Sequence, residues 1–345
     1  MTLQAATRAL LPEDLAGVPR EVVESIRGAR TVLAVCHENP ESDALGSALG
    51  IALAVEQLGG RATPVCSDPV PEMYEFMPQI ARFRREPDPA LAYDLIVVSD
   101  CGDLTRVGAV LSEQAELFGR LPVVNIDHHL SNPRFGTVDW VDAGAAATCE
   151  MVTLLMPALG IPLDAAEGAI AAALIAGIVI DTANFMHPST TARTLRAAAE
   201  LVAAGAPLAE TARLIYRSKP AQQLKLFGFV LARLRQEGGG RVVWSTMTEA
   251  DLRTAGARSE HSEGIVDLLS QAIGAEVVVL LKEAGETTRL SIRTVEGGVD
   301  ATQLAGLFGG GGHARAAGAT VALPLEKAIE PVIGEAVRLA DAVRR

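Results

Sequence analysis

The chain has 345 residues, of which 49% are hydrophobic and only 4% are aromatic. Its core must therefore consist of aliphatic and small side chains, as in helices packed on buried parallel strands, and a disordered chain is excluded. The formal net charge of −12 excludes a protein that coats long nucleic acid, but it allows a small anionic substrate bound through divalent metals and a few arginines.

The N-terminal part of the chain alternates apolar strand-like segments with helical patterns. Strands are predicted at residues 31–36, 61–66, 94–99 and 121–126, and helices at 46–58, 108–117 and 163–180. This order predicts an α/β fold with a doubly wound, mainly parallel sheet. In such sheets, functional sites lie at the carboxyl ends of the strands.

Side chains that commonly bind metals follow directly after three of the predicted strands. They are His37 after the first strand, Asp100 after the third, and Asp127, His128 and His129 after the fourth. Because parallel strands end at the same edge of a sheet, we expect these side chains to lie close together. The pattern indicates a metal or catalytic site at this edge.

Three more carboxylates accompany this group. Glu41 and Asp43 lie in the loop after the first strand, next to a helix start, and Asp181 follows the helical pattern 163–180. Imidazole with carboxylate suits Mn²⁺, Fe²⁺, Co²⁺ or Zn²⁺, whereas all-carboxylate sites suit Mg²⁺. From the residues alone, Glu41 and Asp43 are also explained as acids that favour a helix N-terminus.

The C-terminal third predicts a smaller α/β domain. A helical pattern at 219–236 leads into it, and the glycine run 238–240 marks a boundary. We therefore expect domains over residues 1–218 and 240–345, joined by a helical linker over 219–239. Strand patterns at 242–247, 276–282 and 287–294 alternate there with helical patterns at 262–273, 300–307 and 325–343.

A glycine-rich loop at 309–312, followed by His313, is the second candidate site. Glycine permits close backbone approach, and such loops present N–H groups to phosphate, although a glycine run alone predicts only a flexible turn. On the preceding strand, alternation places Ser291 and Arg293 on the same face. Arg293 suits bidentate phosphate binding, with a solvated strand arginine as the alternative interpretation.

The set of motifs from about residue 30 to 322 resembles the DHH phosphoesterases. The matching motifs are His-x-x-Pro-acid-x-Asp at 37–43, Asp100, Asp-His-His at 127–129 and Asp-Thr at 181–182. The resemblance implies two divalent cations that share Asp100, most often Mn²⁺, with Mg²⁺, Co²⁺ and Zn²⁺ as further candidates. The implied ligands are His37, Glu41 and Asp100 for one cation, and Asp43, Asp100, His128 and Asp181 for the other.

Two positions depart from the family pattern. Glu41 stands where the family has Asp, and Ala183 replaces a Gly. For the longer Glu41 side chain, three outcomes are open: binding with altered geometry, a weak or empty metal site, or a changed metal preference. The remaining members of the triplet are expected to act in catalysis together with Asp100 and His128. Asp127 would orient a neighbouring histidine, and His129 would face the substrate phosphate or the leaving group.

The segment 309–318 resembles the Gly-Gly-Gly-His-x-x-Ala-Ala-Gly motif of the DHH-associated C-terminal domain. This resemblance implies that the second domain binds the nucleotide distal to the scissile bond. The implied substrate-binding residues are Ser291, Arg293, Gly310, Gly311, Gly312 and His313.

Over the whole chain, the resemblance is to bacterial oligoribonuclease and pAp phosphatase enzymes of this family. We therefore expect a phosphodiesterase that cleaves RNA of about two to five nucleotides to mononucleotides and converts pAp to AMP by two-metal chemistry. One alternative is a phosphodiesterase for linear or cyclic dinucleotides such as pApA and c-di-AMP. Another is a nucleotide-binding regulator with a weakened metal site.

The expected partners are these short nucleotides and a second copy of the chain, but neither long duplex nucleic acid nor a membrane. No secretory signal pattern is found at the N-terminus. The longest apolar run, Ala169–Ile180, has 12 residues, whereas a membrane span needs about 20. The four cysteines match no disulfide or zinc pattern, so we expect buried thiols and a cytoplasmic location.

Overall fold

The computed structural model describes residues 10–295 and 297–343. Residues 1–9, 296 and 344–345, which fall in the two expected domains, lie outside the described residues. The chain forms two compact units, the first ending at Ser218 and the second beginning at Lys219.

The first unit is built on a parallel sheet with the strand order β2-β1-β3-β4-β5. Its strands are β1 (Thr31–Val35), β2 (Arg61–Val65), β3 (Leu95–Ser99), β4 (Val123–Asp127) and β5 (Val138–Val141). Strand β2 lies on one side of β1, and the strands that follow it in the chain lie on the other side, beginning with β3. A crevice opens at such a change of side, where β1 and β3 end. The expected parallel α/β sheet is therefore confirmed.

Helices cover both faces of this sheet. They are α1 (Pro12–Leu15), α2 (Arg20–Gly28), α3 (Ser42–Gln57), α4 (Ala109–Glu113), α5 (Ala115–Arg120), α6 (Thr148–Leu159), α7 (Ala169–Asp181), α8 (Ala192–Ala203) and α9 (Leu208–Arg217). Alternate residues of β1 point to opposite faces: Val32 and Ala34 join the core around α3, α6 and α7, whereas Leu33 and Val35 join the core beside α4 and α5.

The start of one helix and the presence of a further helix and strand in this unit differ from the expectation drawn from the sequence. Helix α3 begins at Ser42 rather than at residue 46, because the Glu41 side chain accepts a hydrogen bond from the Ala44 N–H and caps the helix. Asp43 therefore lies in the first helical turn instead of a loop. Helix α6 and strand β5 were not expected, because the apolar residues of α6 are buried all round and lack an amphipathic period.

The second unit contains a mixed sheet with the strand order β10-β11-β9-β8-β7-β6. Its strands are β6 (Arg235–Glu237), β7 (Val242–Met247), β8 (Val277–Ala284), β9 (Thr287–Thr294), β10 (Gly311–His313) and β11 (Ala316–Val321). Its helices are α10 (Ala221–Ala232), α11 (Glu249–Ala255), α12 (Ile265–Leu269), α13 (Ala301–Gly306) and α14 (Leu325–Ala342). One sheet face packs on α13 and α14, and part of the other packs on α10 and α12.

The segment expected to be a linker over residues 219–239 is part of this second unit. Leu226, Phe227 and Val230 of α10 are buried in the core beneath the sheet, and β6 pairs with β7. The structure differs from the expectation because one face of α10 is apolar enough to pack on the sheet. The glycine run Gly238–Gly240 forms the turn between β6 and β7, not a boundary between units.

Two observations concern the chain as a whole. All four cysteines are buried and unpaired, as expected for small hydrophobic side chains. Within residues 10–295 and 297–343, every helix is either too short or too polar to cross a lipid bilayer.

Candidate metal centre

The carboxyl edge of the parallel sheet gathers side chains from separate parts of the first unit. His37 directly follows β1, Asp100 directly follows β3, and Asp127 is the last residue of β4. His128 comes next along the chain, and Asp181 is the last residue of α7. The strand-end expectation is met because β1, β3 and β4 are neighbours in one parallel sheet.

Three overlapping groups of potential metal ligands result, each with its ligand atoms within 4.8 Å of one another. The groups are His37, Glu41 and Asp100; Asp43, His128 and Asp181; and Asp100, His128 and His129. Asp100 belongs to the first and third groups, and His128 links the third group to the second. Asp100 Oδ2 lies 3.6 Å from His37 Nε2, and its Oδ1 lies 3.5 Å from His128 Nε2.

Asp43 is fully buried and is held by the N-terminus of α6. Its Oδ2 accepts a hydrogen bond from the Thr148 N–H at 2.7 Å, and its Oδ1 accepts one from the Cys149 N–H at 2.8 Å. The Thr148 hydroxyl also donates to Asp100 Oδ1 at 3.0 Å. Thr148 therefore orients two of the carboxylates, and sequence analysis missed it because backbone N–H donors carry no side-chain signal.

A glycine keeps space for this arrangement. A Cβ atom at Gly177 in α7 would collide with Asp43 Oδ1 and with the Cys149 sulfur. Only a residue without a side chain therefore allows α7 to approach Asp43 and bring Asp181 into the group. Asp181 Oδ2 lies 3.2 Å from His128 Nε2.

Hydrogen bonding orients the His37 ring. Its Nδ1 lies 2.6 Å from the Glu38 carbonyl oxygen, which can only accept, so the proton is on Nδ1 and Nε2 faces the site. Glu41 Oε2 lies 3.3 Å from His37 Nε2, while Glu41 Oε1 caps α3. The longer Glu41 side chain thus serves both of the roles considered for it, helix capping and approach to the metal site.

Asp127 orients His129 rather than His128. Its Oδ1 accepts a hydrogen bond from His129 Nδ1 at 2.7 Å, and its Oδ2 accepts one from Asn132 Nδ2 at 2.6 Å. Asn132 is a supporting residue that sequence analysis did not identify. Because Asp127 binds Nδ1 and the His129 ring is about one-third exposed, Nε2 of His129 is available to exchange a proton.

The backbone at two of these positions adopts the left-handed conformation. Asp100 has φ +56°, which turns its side chain into the crevice directly after β3. Ala183 has φ +47°, and it begins a run of three left-handed residues that ends at Phe185. Glycine adopts this conformation without strain, whereas Ala183, which replaces the glycine of the resembled family pattern, does not.

The protonation equilibria of the metal-free chain reflect this crowding. Burial raises the pKa of Asp43 well above its usual range, and Asp100 and Asp181 raise it further. Burial opposes the charged forms of His37 and His128, but the surrounding carboxylates outweigh it and raise the pKa of each imidazole to about 10. For Asp100, burial raises the pKa, but the two imidazoles outweigh it and hold the pKa below its usual range.

The donor set fits divalent cations. Asp43 and Asp100 are almost completely buried, and in the described part of the chain neither forms an ion pair with lysine or arginine, nor does Asp181. Their neighbouring cations are the imidazoles of His37 and His128, and when these rings are neutral the buried carboxylates are costly unless a metal cation neutralises them. The residues present can therefore hold metal ions, with His37, Glu41, Asp43, Asp100, His128 and Asp181 as the available ligands.

The second unit places its predicted residues on one strand and one loop. Ser291 and Arg293 lie on the same face of β9, and Ser291 is opposite Gly318 of β11. Arg293 Nε donates to Asp267 Oδ1 at 2.7 Å, so this arginine already has an acidic partner. The alternative of a purely solvated strand arginine therefore does not hold, and phosphate binding by Arg293 stays a prediction.

The glycine-rich loop differs in part from its expected role. The Gly310 N–H donates to the Ala305 carbonyl at 2.9 Å, so it is not free to bind phosphate. Gly311, Gly312 and His313 form β10, an exposed strand at the edge of the sheet. An edge strand leaves some backbone N–H groups unpaired, so these residues keep the capacity to bind an anion.

Comparison with family models assigns both units. Residues 31–178 match the model described as "DHH family, N-terminal domain", and residues 231–342 match the "DHHA1 domain". The first match covers the strands and helices that supply the potential ligands, except Asp181. The second covers the mixed sheet and the glycine-rich loop.

Similar proteins are found over nearly the whole chain. The bifunctional oligoribonuclease and PAP phosphatase NrnA of Thermus thermophilus is 38% identical over 320 residues, which cover 92% of each chain. The protein of the same name from Bacillus subtilis is 26% identical over 322 residues, 87% of this chain and 92% of that one. The crystal structure of an exopolyphosphatase-related protein from Bacteroides fragilis shares the fold, with a TM-score of 0.83 and 21% identity over 98% of this chain and all of that one.

Proposed function

The chain belongs to the DHH family, and from this premise we propose that it is a metal-dependent phosphodiesterase acting on short oligoribonucleotides and on pAp. The observation that carries the proposal is Asp100, whose two carboxylate oxygens face His37 on one side and His128 on the other. A carboxylate shared by two groups of ligands suits a pair of cations. The near full-length similarity to oligoribonuclease and PAP phosphatase enzymes supports the substrate class.

The proposed ligands are His37, Glu41 and Asp100 for one cation, and Asp43, Asp100, His128 and Asp181 for the other. Divalent cations in such a pair activate water and offset the negative charge that develops on a phosphate during hydrolysis. We propose Mn²⁺ as the activating ion, because mixed imidazole and carboxylate ligands suit it better than Mg²⁺.

The protein's own residues are proposed to do the remaining work. Thr148 and the N–H of Cys149 hold the carboxylates in position before any ion binds. His129 is held by Asp127 through Nδ1–H, so in its doubly protonated form it would give the Nε2 proton to the leaving oxygen and become a neutral imidazole. The strained backbone of Asp100 aims the shared carboxylate at the crevice.

The two units are proposed to divide binding and catalysis. Residues 1–218 would form the catalytic domain, and the mixed-sheet unit would bind the nucleotide distal to the scissile bond through Ser291, Arg293, Gly311, Gly312 and His313. The buried unpaired thiols support a cytoplasmic location, where reducing conditions preserve them.

A substrate panel with the purified full-length chain in Mn²⁺ tests this proposal. The panel contains pAp, pApA, c-di-AMP, RNA from two to twenty nucleotides and single-stranded DNA, with products separated by chromatography. We expect release of mononucleotides from the shortest RNAs and of AMP from pAp, with turnover falling steeply as RNA length increases. The Asp100→Ala variant, purified in the same way, controls for contaminating nucleases.

The panel also separates the alternatives. Preference for c-di-AMP over short RNA would favour a cyclic dinucleotide phosphodiesterase. Equal turnover of long single-stranded DNA would contradict the short-substrate proposal. Nucleotide binding without turnover in Mn²⁺, Mg²⁺ or Co²⁺ would show a regulator and overturn the proposed activity.

A further inference from the structure

A basic concavity lies on the mixed sheet beside the glycine-rich loop, and its two basic side chains are not among the residues that the sequence predicted. It is a surface concavity of about 390 Å³, within the size range of ligand pockets. Its lining includes Lys282 of β8, Arg289 of β9, Gly309 and Gly310 of the glycine-rich loop, and Gly318 and Thr320 of β11.

The charge of this concavity is unbalanced. Lys282 and Arg289 stand directly opposite each other in the β8–β9 ladder, where like charges destabilise a sheet. Among the ion pairs of the described residues, none involves either side chain, whereas Arg293 on the same strand is paired with Asp267. Burial lowers the pKa of Lys282, the positive charge of Arg289 lowers it further, and the nearby carboxylate of Glu263 only partly offsets them. An anion bound between Lys282 and Arg289 would relieve this repulsion.

Glycines keep the floor of the concavity free of side chains. A Cβ atom at Gly310 would collide with the Gly318 carbonyl oxygen, so the loop lies directly on β11. A Cβ atom at Gly318 would lie 3.1 Å from the Leu290 carbonyl oxygen. The Gly310 N–H already donates to the Ala305 carbonyl oxygen, so it is not free to bind an anion. The loop therefore provides the space for a bound anion, and the side chains of Lys282 and Arg289 provide the electrostatic attraction.

We propose that Lys282 and Arg289 form a binding subsite for the terminal phosphate monoester of a short nucleotide. The choice of nucleotide rests on the proposed function, but the charge and shape of the subsite do not. Arg289 lies two residues, roughly 7 Å, along β9 from Ser291. The terminal phosphate of a nucleotide held at Ser291 can therefore reach Arg289. A terminal monoester carries more charge than a phosphodiester, and two cations that form no ion pair among the described residues favour the more highly charged group.

Binding to the metal-free full-length chain tests the subsite without hydrolysis. Calorimetry compares ApA with pApA, which differ only in the 5′-terminal phosphate. We expect the terminal phosphate to strengthen binding about tenfold in the unmodified chain. The gain should fall to less than about twofold in Lys282→Gln and in Arg289→Gln.

The matched control is Arg338→Gln, which removes the same charge from α14, the helix packed on the other face of the sheet. This control should keep the full gain. Arg289 is exposed, so its replacement does not disturb the core, and Arg289→Gln alone decides the question if Lys282→Gln lowers the melting temperature. Orthophosphate is titrated separately, and its displacement of pApA but not ApA would identify free phosphate as a second ligand of the same subsite.

Three results would overturn the subsite: an unchanged gain in both variants, an equal loss in the Arg338 control, or no gain in the unmodified chain. The proposed function fails independently, through absence of turnover with Mn²⁺. A chain that binds pApA through Arg289 but does not hydrolyse it would keep the subsite and lose the activity. A chain that hydrolyses short RNA, and whose binding gain is unchanged by these substitutions, would keep the activity and lose the subsite.

Discussion

The metal centre of the first unit and the basic concavity of the second unit show opposite electrostatic designs. Around Asp100, carboxylates are buried, crowded and fixed by hydrogen bonds from Thr148 and the N-terminus of α6. Around Arg289, positive charges sit at the surface on a glycine floor with few fixed contacts. The comparison teaches that a site for cations needs preorganised acceptors, whereas a site for a phosphate needs open space and unpaired positive charge.

The largest expected effect comes from removing the shared carboxylate. Asp100→Ala should lower kcat/KM with Mn²⁺ by about 10³-fold or more, because both proposed sets of metal ligands lose their common member. Steady-state kinetics on a dinucleotide checks this, with Asp100→Asn as a variant that preserves side-chain shape. If Asp100→Ala keeps near-normal rates, Asp100 does not bridge two cations. The same variant should leave the pApA-over-ApA binding gain intact, since that gain belongs to the second unit.

The second prediction concerns pH. His37 and His128 have pKa values raised to about 10 in the metal-free chain, so their charged forms stabilise that fold fully below about pH 6.5. This stabilisation is lost as pH rises through about 10. A metal ligand must be neutral, so Mn²⁺ uptake near pH 7.5 should release a proton from each imidazole, and affinity should rise about tenfold per proton per pH unit.

Calorimetry in buffers of different ionisation enthalpy measures the number of protons released on Mn²⁺ binding. A count near zero at pH 7.5 would contradict the assignment of His37 and His128 as ligands.

The third prediction isolates the orienting role of Thr148. Thr148→Val removes the hydroxyl that donates to Asp100 but keeps the backbone N–H that donates to Asp43. We expect Mn²⁺ affinity to fall about 10- to 100-fold, as for other residues that orient metal ligands. Manganese binding followed by electron paramagnetic resonance checks this. Thr148→Ser keeps the hydroxyl and should bind normally, so equal affinities of the two variants would show that the hydroxyl has no such role.

The smallest expected effect is at Glu41. Aspartate is also a good helix cap, so Glu41→Asp should change Mn²⁺-dependent turnover by no more than about threefold in either direction. Glu41→Gln keeps the oxygen that caps α3 at the Ala44 N–H but loses the negative charge, and should weaken Mn²⁺ binding about tenfold. Complete inactivity of Glu41→Asp would show that this site requires glutamate.

Much of the first site could be predicted because its chemistry coincides with strand ends. His37, Asp100 and the Asp-His-His triplet each follow an apolar segment, and parallel strands place such residues at one edge. Helix α6 could not be predicted in the same way, because its apolar residues are buried all round. The apolar run closed by Gly160, which ends the helix in a left-handed conformation, is the signal that could have found it.

The second site was predicted less completely. Ser291, Arg293 and the glycine-rich loop could be identified from alternation and from the family motif, but not their hydrogen-bond partners. Asp267 lies 26 residues before Arg293 in the chain and meets it only because α12 packs beside β9. Likewise, Lys282 and Arg289 have no motif of their own and become a pair only through the register of β8 and β9.

The sequence by itself determined the α/β class, the kinds of ligand and their order along the chain, because hydrophobic periodicity and residue chemistry are local properties. Only the tertiary structure decided which atoms converge on Asp100, which helix N-terminus holds Asp43 and which arginine of β9 stays unpaired. These outcomes depend on contacts between residues far apart in the chain, and such contacts are set by packing and strand register rather than by local sequence.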